Sequence, residues 1–222
     1  MLSPTTKFSK VFRGLKLFSN GVATSLTGST VDAVARSVYV VGSDVYVAGY
    51  ENNSNIIISK PDIAKVWKNG VAVSLTNGTN TAQALSVFVS GTDVYATGYE
   101  YDGITNIAKV WKNSVATSLS AANPAAAGSV YVSGSDVYVA GYASNGYNGI
   151  AKVWKNGVAV SLTTGVNNAN ASSVYVFGND VYVAGSEKSV NVGYVPKVWK
   201  NGVATSLLNS AYDGYALSVF VK

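Results

Sequence analysis

The sequence contains neither cysteine nor histidine. Without cysteine there is no disulfide and no thiolate metal site. Without histidine the commonest general base and the commonest zinc ligand are missing. Ser-His-Asp and Cys-His arrangements are therefore out of reach. Charged residues make up only 12% of the chain, yet hydrophobic residues make up 48%, too many for a disordered polymer. Proline is scarce at 4 of 222 residues while glycine reaches 22, a balance suited to many strands joined by tight turns. No apolar run approaches the roughly 18 residues of a membrane-spanning helix, so no membrane insertion is expected. The N-terminal stretch lacks the apolar core of a signal peptide. There is no Gly-x-x-x-x-Gly-Lys-Ser/Thr phosphate loop, and Asp102-Gly103 lacks the spaced ligands and closing glutamate of an EF-hand. No cofactor and no metal are expected.

What is present is repetition, and a repeat must be recognised before any other feature. Trp67, Trp111, Trp154 and Trp199 each sit in Val-Trp-Lys-Asn, at spacings of 44, 43 and 45 residues. Leu15 to Gly21 is a fifth, worn copy with Phe18 in the tryptophan place, 49 residues before Trp67. The excess falls in one loop around Asn52 to Asp62. The apolar residues are mainly Val, Tyr and Ala, and β-propensity dominates. Within a unit there are four short strand signals, for example Leu85 to Val89, Asp93 to Gly98, Ala108 to Lys112 and Val115 to Leu119. Their connections include Asn-Gly, a strong hairpin signal.

Four strands in about 44 residues is the pattern of a β-propeller blade. The expected fold is all-β, a five-bladed β-propeller of four-stranded blades forming one domain over 1–222. Blade one covers 35–75, blade two 84–119, blade three 128–162 and blade four 172–207. Blade five combines 7–26 with 217–221. The chain stops one strand into a unit and starts late in another. A C-terminal innermost strand, Leu217 to Val221, is thus expected to complete the N-terminal blade and close the ring, with Lys7 to Phe12 as that blade's second strand. Closure removes exposed sheet edges.

Alternating strand direction puts the two tight turns of each blade on one plain face. There Gly42-Ser43-Asp44, Gly91-Thr92-Asp93, Gly134-Ser135-Asp136 and Gly178-Asn179-Asp180 hardly change. All variation falls on the opposite face, and variation confined to one face of a repeat protein often marks binding. Drift in loops without a role is the competing reading.

The tryptophans suit wedging between blades better than five ligand platforms. The turn aspartates suit capping of their own backbone. Ser37, Ser86, Ser129, Ser173 and Ser218 begin the innermost strands and are expected as hydroxyls near the axis, bonded to backbone or water. The net charge is +5, but 8 of the 16 basic residues belong to the repeat, which suits a solvated outer strand more than a nucleic-acid surface.

The candidate ligand-binding residues lie in the variable loops: Tyr50, Glu51, Tyr99, Glu100, Tyr101, Asp102, Tyr142, Asn145, Tyr147, Glu187, Tyr194, Tyr212, Asp213 and Tyr215. Aromatic faces stack on the C–H face of a sugar while amides and carboxylates take its hydroxyls. The same mixture suits protein contacts, as in antibody loops. A carboxylate pair for glycoside hydrolysis has no recurring inward pattern in the sequence, and no enzymatic activity is expected.

The Val-Trp-Lys-Asn-Gly, Val-Ala-x-Ser-Leu and Ser-Val-Tyr-Val-x-Gly-x-Asp-Val-Tyr-Val-Ala-Gly-Tyr units, from about Leu15 to Val221, resemble a group of bacterial repeat propellers. That resemblance implies a secreted or cell-surface protein. In blade number and repeat length the chain is also similar to the five-bladed lectin tachylectin-2, in architecture only. Together these lead to an expectation of a monomeric, lectin-like, multivalent module for a glycan or surface polysaccharide. The alternative is a protein-interaction or structural module.

Overall fold

The structure is a computed structural model that describes residues 8–9, 15–19, 22–28, 32–52, 60–120, 123–190, 193–208 and 213–222. Its described elements are all strands. The N-terminal sheet holds β1 (Phe8–Ser9), β2 (Lys16–Ser19) and β3 (Val22–Ser25). Blade one holds β4 (Asp32–Val41), β5 (Asp44–Asn52), β6 (Asp62–Lys68) and β7 (Val71–Ser74). Blade two holds β8 (Ala82–Ser90), β9 (Asp93–Tyr101), β10 (Asn106–Lys112) and β11 (Val115–Ser118). Blade three holds β12 (Ala125–Ser133), β13 (Asp136–Ser144), β14 (Gly149–Lys155) and β15 (Val158–Ser161). Blade four holds β16 (Ala169–Phe177), β17 (Asp180–Ser189), β18 (Gly193–Lys200) and β19 (Val203–Ser206). Each sheet is an antiparallel meander in chain order, and the set is consistent with a five-bladed propeller.

The inner strands start earlier than the sequence pattern shows, and a bulge is the reason. In blade three Ala127 pairs with Gly141 and Ser129 with Ala140, leaving Gly128 unpaired. The same extra residue is Arg36 in blade one, Leu85 in blade two and Ser172 in blade four. One inserted residue flips the in-out phase of a strand, so the alternation breaks there and the strand continues beyond it. Opposite each bulge stands a glycine. A methyl group on Gly141 would lie 2.1 Å from the Ala126 carbonyl oxygen.

The core lies between blades. Trp154 packs with Tyr95, Ala108 and Leu119 of blade two, and Trp111 with Ala64 and Val66 of blade one. Trp199 packs with Tyr138 and Ala151, and Trp67 with Leu15, Leu17 and Leu26. All four rings are at most 1% exposed. They are wedges and present no surface to a ligand.

A second seam runs nearer the axis. The Ser37 hydroxyl accepts the Val87 N–H at 3.3 Å, Ser86 accepts Val130 at 3.3 Å, Ser129 accepts Val174 at 3.2 Å and Ser173 accepts Val219 at 3.3 Å. The expected ring serines thus take backbone partners in the next blade. Beside them run Tyr39, Phe88, Tyr131, Tyr175 and Phe220, with successive ring centroids 4.7, 5.0, 4.8 and 5.1 Å apart. The C-terminal segment joins both series but shows no strand pairing among the described residues. The expected fourth strand of the N-terminal sheet is therefore not formed among the described residues. Of the strand expected at Lys7 to Phe12, Phe8–Ser9 pairs with β2, and the rest lies outside the described residues.

On the plain face the two turns of each blade are clasped together. In blade three the Asp136 carboxylate accepts from Asn156 Nδ2 at 2.8 Å and pairs with Lys155 at 2.7 Å, while Asn156 Oδ1 accepts the Val137 N–H at 2.8 Å. Lys155 also lies over the Tyr138 ring, 5.4 Å from its centroid. The same constellation recurs at Asp44, Asp93 and Asp180. The aspartates tie two turns to each other and do not cap their own, and the second lysine of each repeat is pinned beside them.

Hydrogen bonds from the lysine, then from the asparagine, hold the Asp44, Asp93, Asp136 and Asp180 carboxyls below their ordinary range. Below the unfolded value of about 4 the unfolded chain binds more protons, so this contribution to stability is complete above that pH and is lost as pH falls through the folded values. The lysines are shifted up by the same bonds, and their contribution is lost only as pH rises beyond about 10.4. Thermal midpoints are expected to be level from neutral pH to about 5 and to fall below about 4. An Asp136→Asn variant should show a shallower acid fall than wild type. Equal slopes for the two proteins would refute the clasp.

Candidate functional site

The variable face places the predicted residues in three different settings. The first setting is internal pairing. Glu51 pairs with Lys65 at 2.9 Å, Glu100 with Lys109 at 3.3 Å, and Glu187 with Lys197 at hydrogen-bonding distance. Each pair spans two strands of one blade and is largely screened from water, so these glutamates have partners before any ligand arrives. The corresponding lysines are ion-paired and are not free cations of a solvated strand.

The second setting is loop architecture. The Asp102 carboxylate accepts the N–H groups of Ile104 and Thr105, both at 2.8 Å, and these bonds, Thr105 first, hold it below the ordinary range. Tyr101 donates its hydroxyl to the Gly103 carbonyl at 2.9 Å. Asn145 Oδ1 accepts from Tyr147 and Asn148, and its amide donates to the Gly165 carbonyl at 3.1 Å. Asn148 also reaches the carbonyls of Gly165 and Val166. The loop carrying Tyr147 is thereby stitched to the link between blades three and four. Tyr147 stands 95% exposed, and Ile104, Val166 and Val190 on the same face are 87%, 77% and 88% exposed.

The third setting is a cleft. Tyr142, Tyr194 and Tyr215 converge on a hollow of about 700 Å³ between blades three and four, reaching the bulge residues Leu85, Gly128 and Ser172 at the axis. Asn168, Asn170, Ser144 and Ser172 line it with polar groups, and Ala126, Ala169 and Ala171 line it with small apolar ones. The Tyr194 and Tyr215 rings lie against each other, tilted by 33°, with centroids 5.1 Å apart. Asn168 donates to the Tyr194 hydroxyl at 2.7 Å and accepts the Gly149 N–H at 2.7 Å, which fixes both walls. Asp213 accepts the Tyr194 N–H at 2.6 Å and so anchors the segment bearing Tyr215. Desolvation first, and then Asp213 and Tyr194, hold the Tyr215 hydroxyl above its ordinary value, leaving it a neutral donor.

Small residues open this cleft. Val34, Asp62 and Gln83 occupy the corresponding places around blades one and two, and Gln83 Nε2 donates to Asp62 at 2.7 Å across that seam. Around blades three and four those places hold Ala126, Gly149 and Asn170. Tyr50 lies in a hollow of only about 210 Å³ with Asp32, Asn52 and Asp62, beneath Arg36 at 5.7 Å. Tyr99 is half-buried, and burial is the main cause of its raised hydroxyl pKa. Tyr212 lies outside the described residues. Sequence reasoning missed Ser144, Asn168 and Asn170. Their signal was the loss of bulk at Ala126 and Gly149 relative to the sister copies.

No protein-family model matches this chain, and no curated protein does. Among solved structures it is similar to dipeptidyl peptidase 4 of Porphyromonas gingivalis, at 11% identity and a TM-score of 0.49, over 90% of this chain and 31% of that one. It is similar to a GH43_12 protein retrieved from a capybara gut metagenome, at 10% identity and a TM-score of 0.47, over 94% and 44% of the two chains. It is also similar to the Bombyx mori GH32 β-fructofuranosidase BmSUC1, at 8% identity and a TM-score of 0.44, over 82% and 47%. The chain thus spans less than half of each of these proteins. The expectation of no enzymatic activity is corrected by this finding, since glycoside hydrolases are among the similar structures. That expectation set paired carboxylates aside because none recurs inward from copy to copy, and glycoside hydrolysis with two carboxylates requires no such recurrence. At these identities no reaction is transferred to this chain.

Proposed function

We propose that this chain binds glycans, with its principal site in the cleft between blades three and four. The observation that carries this reading is the lining: three tyrosine rings beside two asparagine amides and two serine hydroxyls, with no formal charge among them. Rings offer flat apolar faces to sugar C–H groups, and amides both donate to and accept from hydroxyls. The loops of the other blades are tied into ion pairs and turns, so one principal site replaces the set of equivalent sites expected from the repeat. In this reading the chain is a monomer related to the bacterial repeat propellers and works outside the cell or on its surface. Ring closure belongs to the same proposal. Ser218 holds the sequence place of Ser37, and its hydroxyl would accept from Val38 as Ser173 accepts from Val219.

An array of neutral and acidic oligosaccharides, followed by calorimetry with the strongest binder, tests the site. Tyr215→Ala is expected to weaken binding about tenfold, the scale of one lost stacking contact. Unchanged affinity in that variant, or no binding to any glycan, overturns the reading.

The exposed side chains of Ile104, Tyr147, Val166 and Val190 favour a second reading, a protein partner laid across the loops. In that case Tyr147→Ala would abolish binding to the partner while Tyr215→Ala would leave it intact.

A further inference from the structure

The four complete blades disagree at one place where the scaffold otherwise repeats. Lys65, Lys109, Lys152 and Lys197 hold the same position, each cross-strand from the glycine opposite the bulge: Gly49, Gly98, Gly141 and Gly185. Two residues after that glycine come Glu51, Glu100, Ala143 and Glu187. In blades one, two and four the glutamate reaches back to the lysine and forms an ion pair. In blade three alanine stands there instead. Lys152 Nζ bonds the Ser161 hydroxyl at 2.8 Å, and no carboxylate among the described residues lies within ion-pairing distance of it.

Blade two shows what the vacant arrangement accepts. Lys109 makes the equivalent bond to the Ser118 hydroxyl at 3.1 Å and at the same time holds the Glu100 carboxylate at 3.3 Å. In blade two the lysine–serine dyad is thus a carboxylate receptor filled from its own chain, and in blades one and four the glutamate fills the same place on the lysine alone. Ala143 removes the filling side chain beyond its Cβ and leaves the receptor intact. Lys152 and Ala143 are both half-buried, so solvent reaches the place and water screens it less than it would an open surface.

We propose that Lys152 and Ser161, with the space beside Ala143, form an anion site for a carboxylate carried by the ligand. Its class is a uronic-acid residue of an acidic polysaccharide. The uronate assignment rests on the glycan reading of the neighbouring cleft; the carboxylate site itself does not. The carboxylate takes the place that Glu51, Glu100 and Glu187 fill in the sister blades, one oxygen on the ammonium as in a charge-assisted bond. Blade three supplies both the cleft wall, through Tyr142 and Gly149, and this site, so one polysaccharide chain crossing the blade meets a neutral pocket and then a cation.

The test uses the whole chain with the lysine ammonium resonances followed by NMR. Sodium acetate is expected to shift the Lys152 resonance saturably, and sodium chloride at the same ionic strength is not. Ala143→Glu, which restores the sister-blade pair, should weaken the acetate effect about tenfold or more. Lys152→Met should remove the uronide preference while leaving the fold, since it deletes a charge that makes no ion pair among the described residues and gives up one hydrogen bond to Ser161. An oligouronide should bind the wild type about tenfold more tightly than a neutral oligosaccharide of equal length, and Ala143→Glu should erase that difference. Acetate that leaves Lys152 unmoved, or moves it equally in Ala143→Glu, overturns the anion site even if neutral glycans bind the cleft. Acetate binding with no response to any oligosaccharide keeps the anion site and removes the glycan reading. An acidic peptide that outcompetes the oligouronide at Lys152 overturns the uronate assignment.

Discussion

Replacing Trp154 with alanine is expected to cost the protein about 3–5 kcal/mol of stability. The ring fills the seam between blades two and three, in one buried cluster with Tyr95, Ala108, Leu119 and Ala125. It is wholly buried, and its Nε1 donates to the Leu119 carbonyl at 2.9 Å. Truncation leaves a cavity that β-sheets on both sides cannot collapse into, and it strands a carbonyl. Urea denaturation followed through the three remaining tryptophans measures the loss. Trp154→Phe should cost less, because Phe18 holds the corresponding place in the N-terminal copy. A loss under about 1 kcal/mol for the alanine variant would mean that the seam is not held by its wedge, contrary to the scale for buried aromatics.

Gly141→Ala is the second large effect. The added methyl group would stand 2.1 Å from the Ala126 carbonyl oxygen and 3.0 Å from the Ala127 Cα. Both are backbone atoms opposite the bulge, so no side-chain rotation relieves the clash. Relief requires the β12–β13 register to open. Overpacking of this kind costs about 1–3 kcal/mol even where side chains can yield, and a rigid backbone neighbour puts this case at the upper end or beyond. The consequence is also local, because Ala126, Gly128 and Gly141 all line the cleft. The variant should lose stability and glycan affinity together, whereas Tyr215→Ala should lose affinity alone. Wild-type stability in Gly141→Ala would show that the bulge adapts to a side chain.

The repeat made the strand order, the shared face of the two tight turns and the wedge role of tryptophan legible from the chain alone. Those features depend on local pattern and on what every copy must do. The bulge was not legible, because one unpaired residue in a strand looks like a broken alternation. The clasp was half legible. Asp136 and Asn156 were each visible as turn residues, but their bond joins segments 20 residues apart. The site was the least legible part. Tyr142, Tyr194 and Tyr215 stood out by type, yet so did Tyr50 and Tyr101, and only packing separates a ring that walls a cleft from one that closes a loop. The cleft itself arises from missing volume at Ala126 and Gly149, and small residues draw no attention unless compared with their sisters.

The serine joints have a consequence for how such a protein changes over time. Each joint links a hydroxyl of one copy to a main-chain N–H of the next, and a main-chain N–H is present whatever side chain replaces its neighbour. Copies can therefore diverge without losing their fit to one another. A glutamate-to-alanine change at position 143 leaves that joint untouched while it changes the surface chemistry of a single copy. Duplicated segments joined in this way can start as identical parts and become chemically distinct by subtraction, one copy at a time.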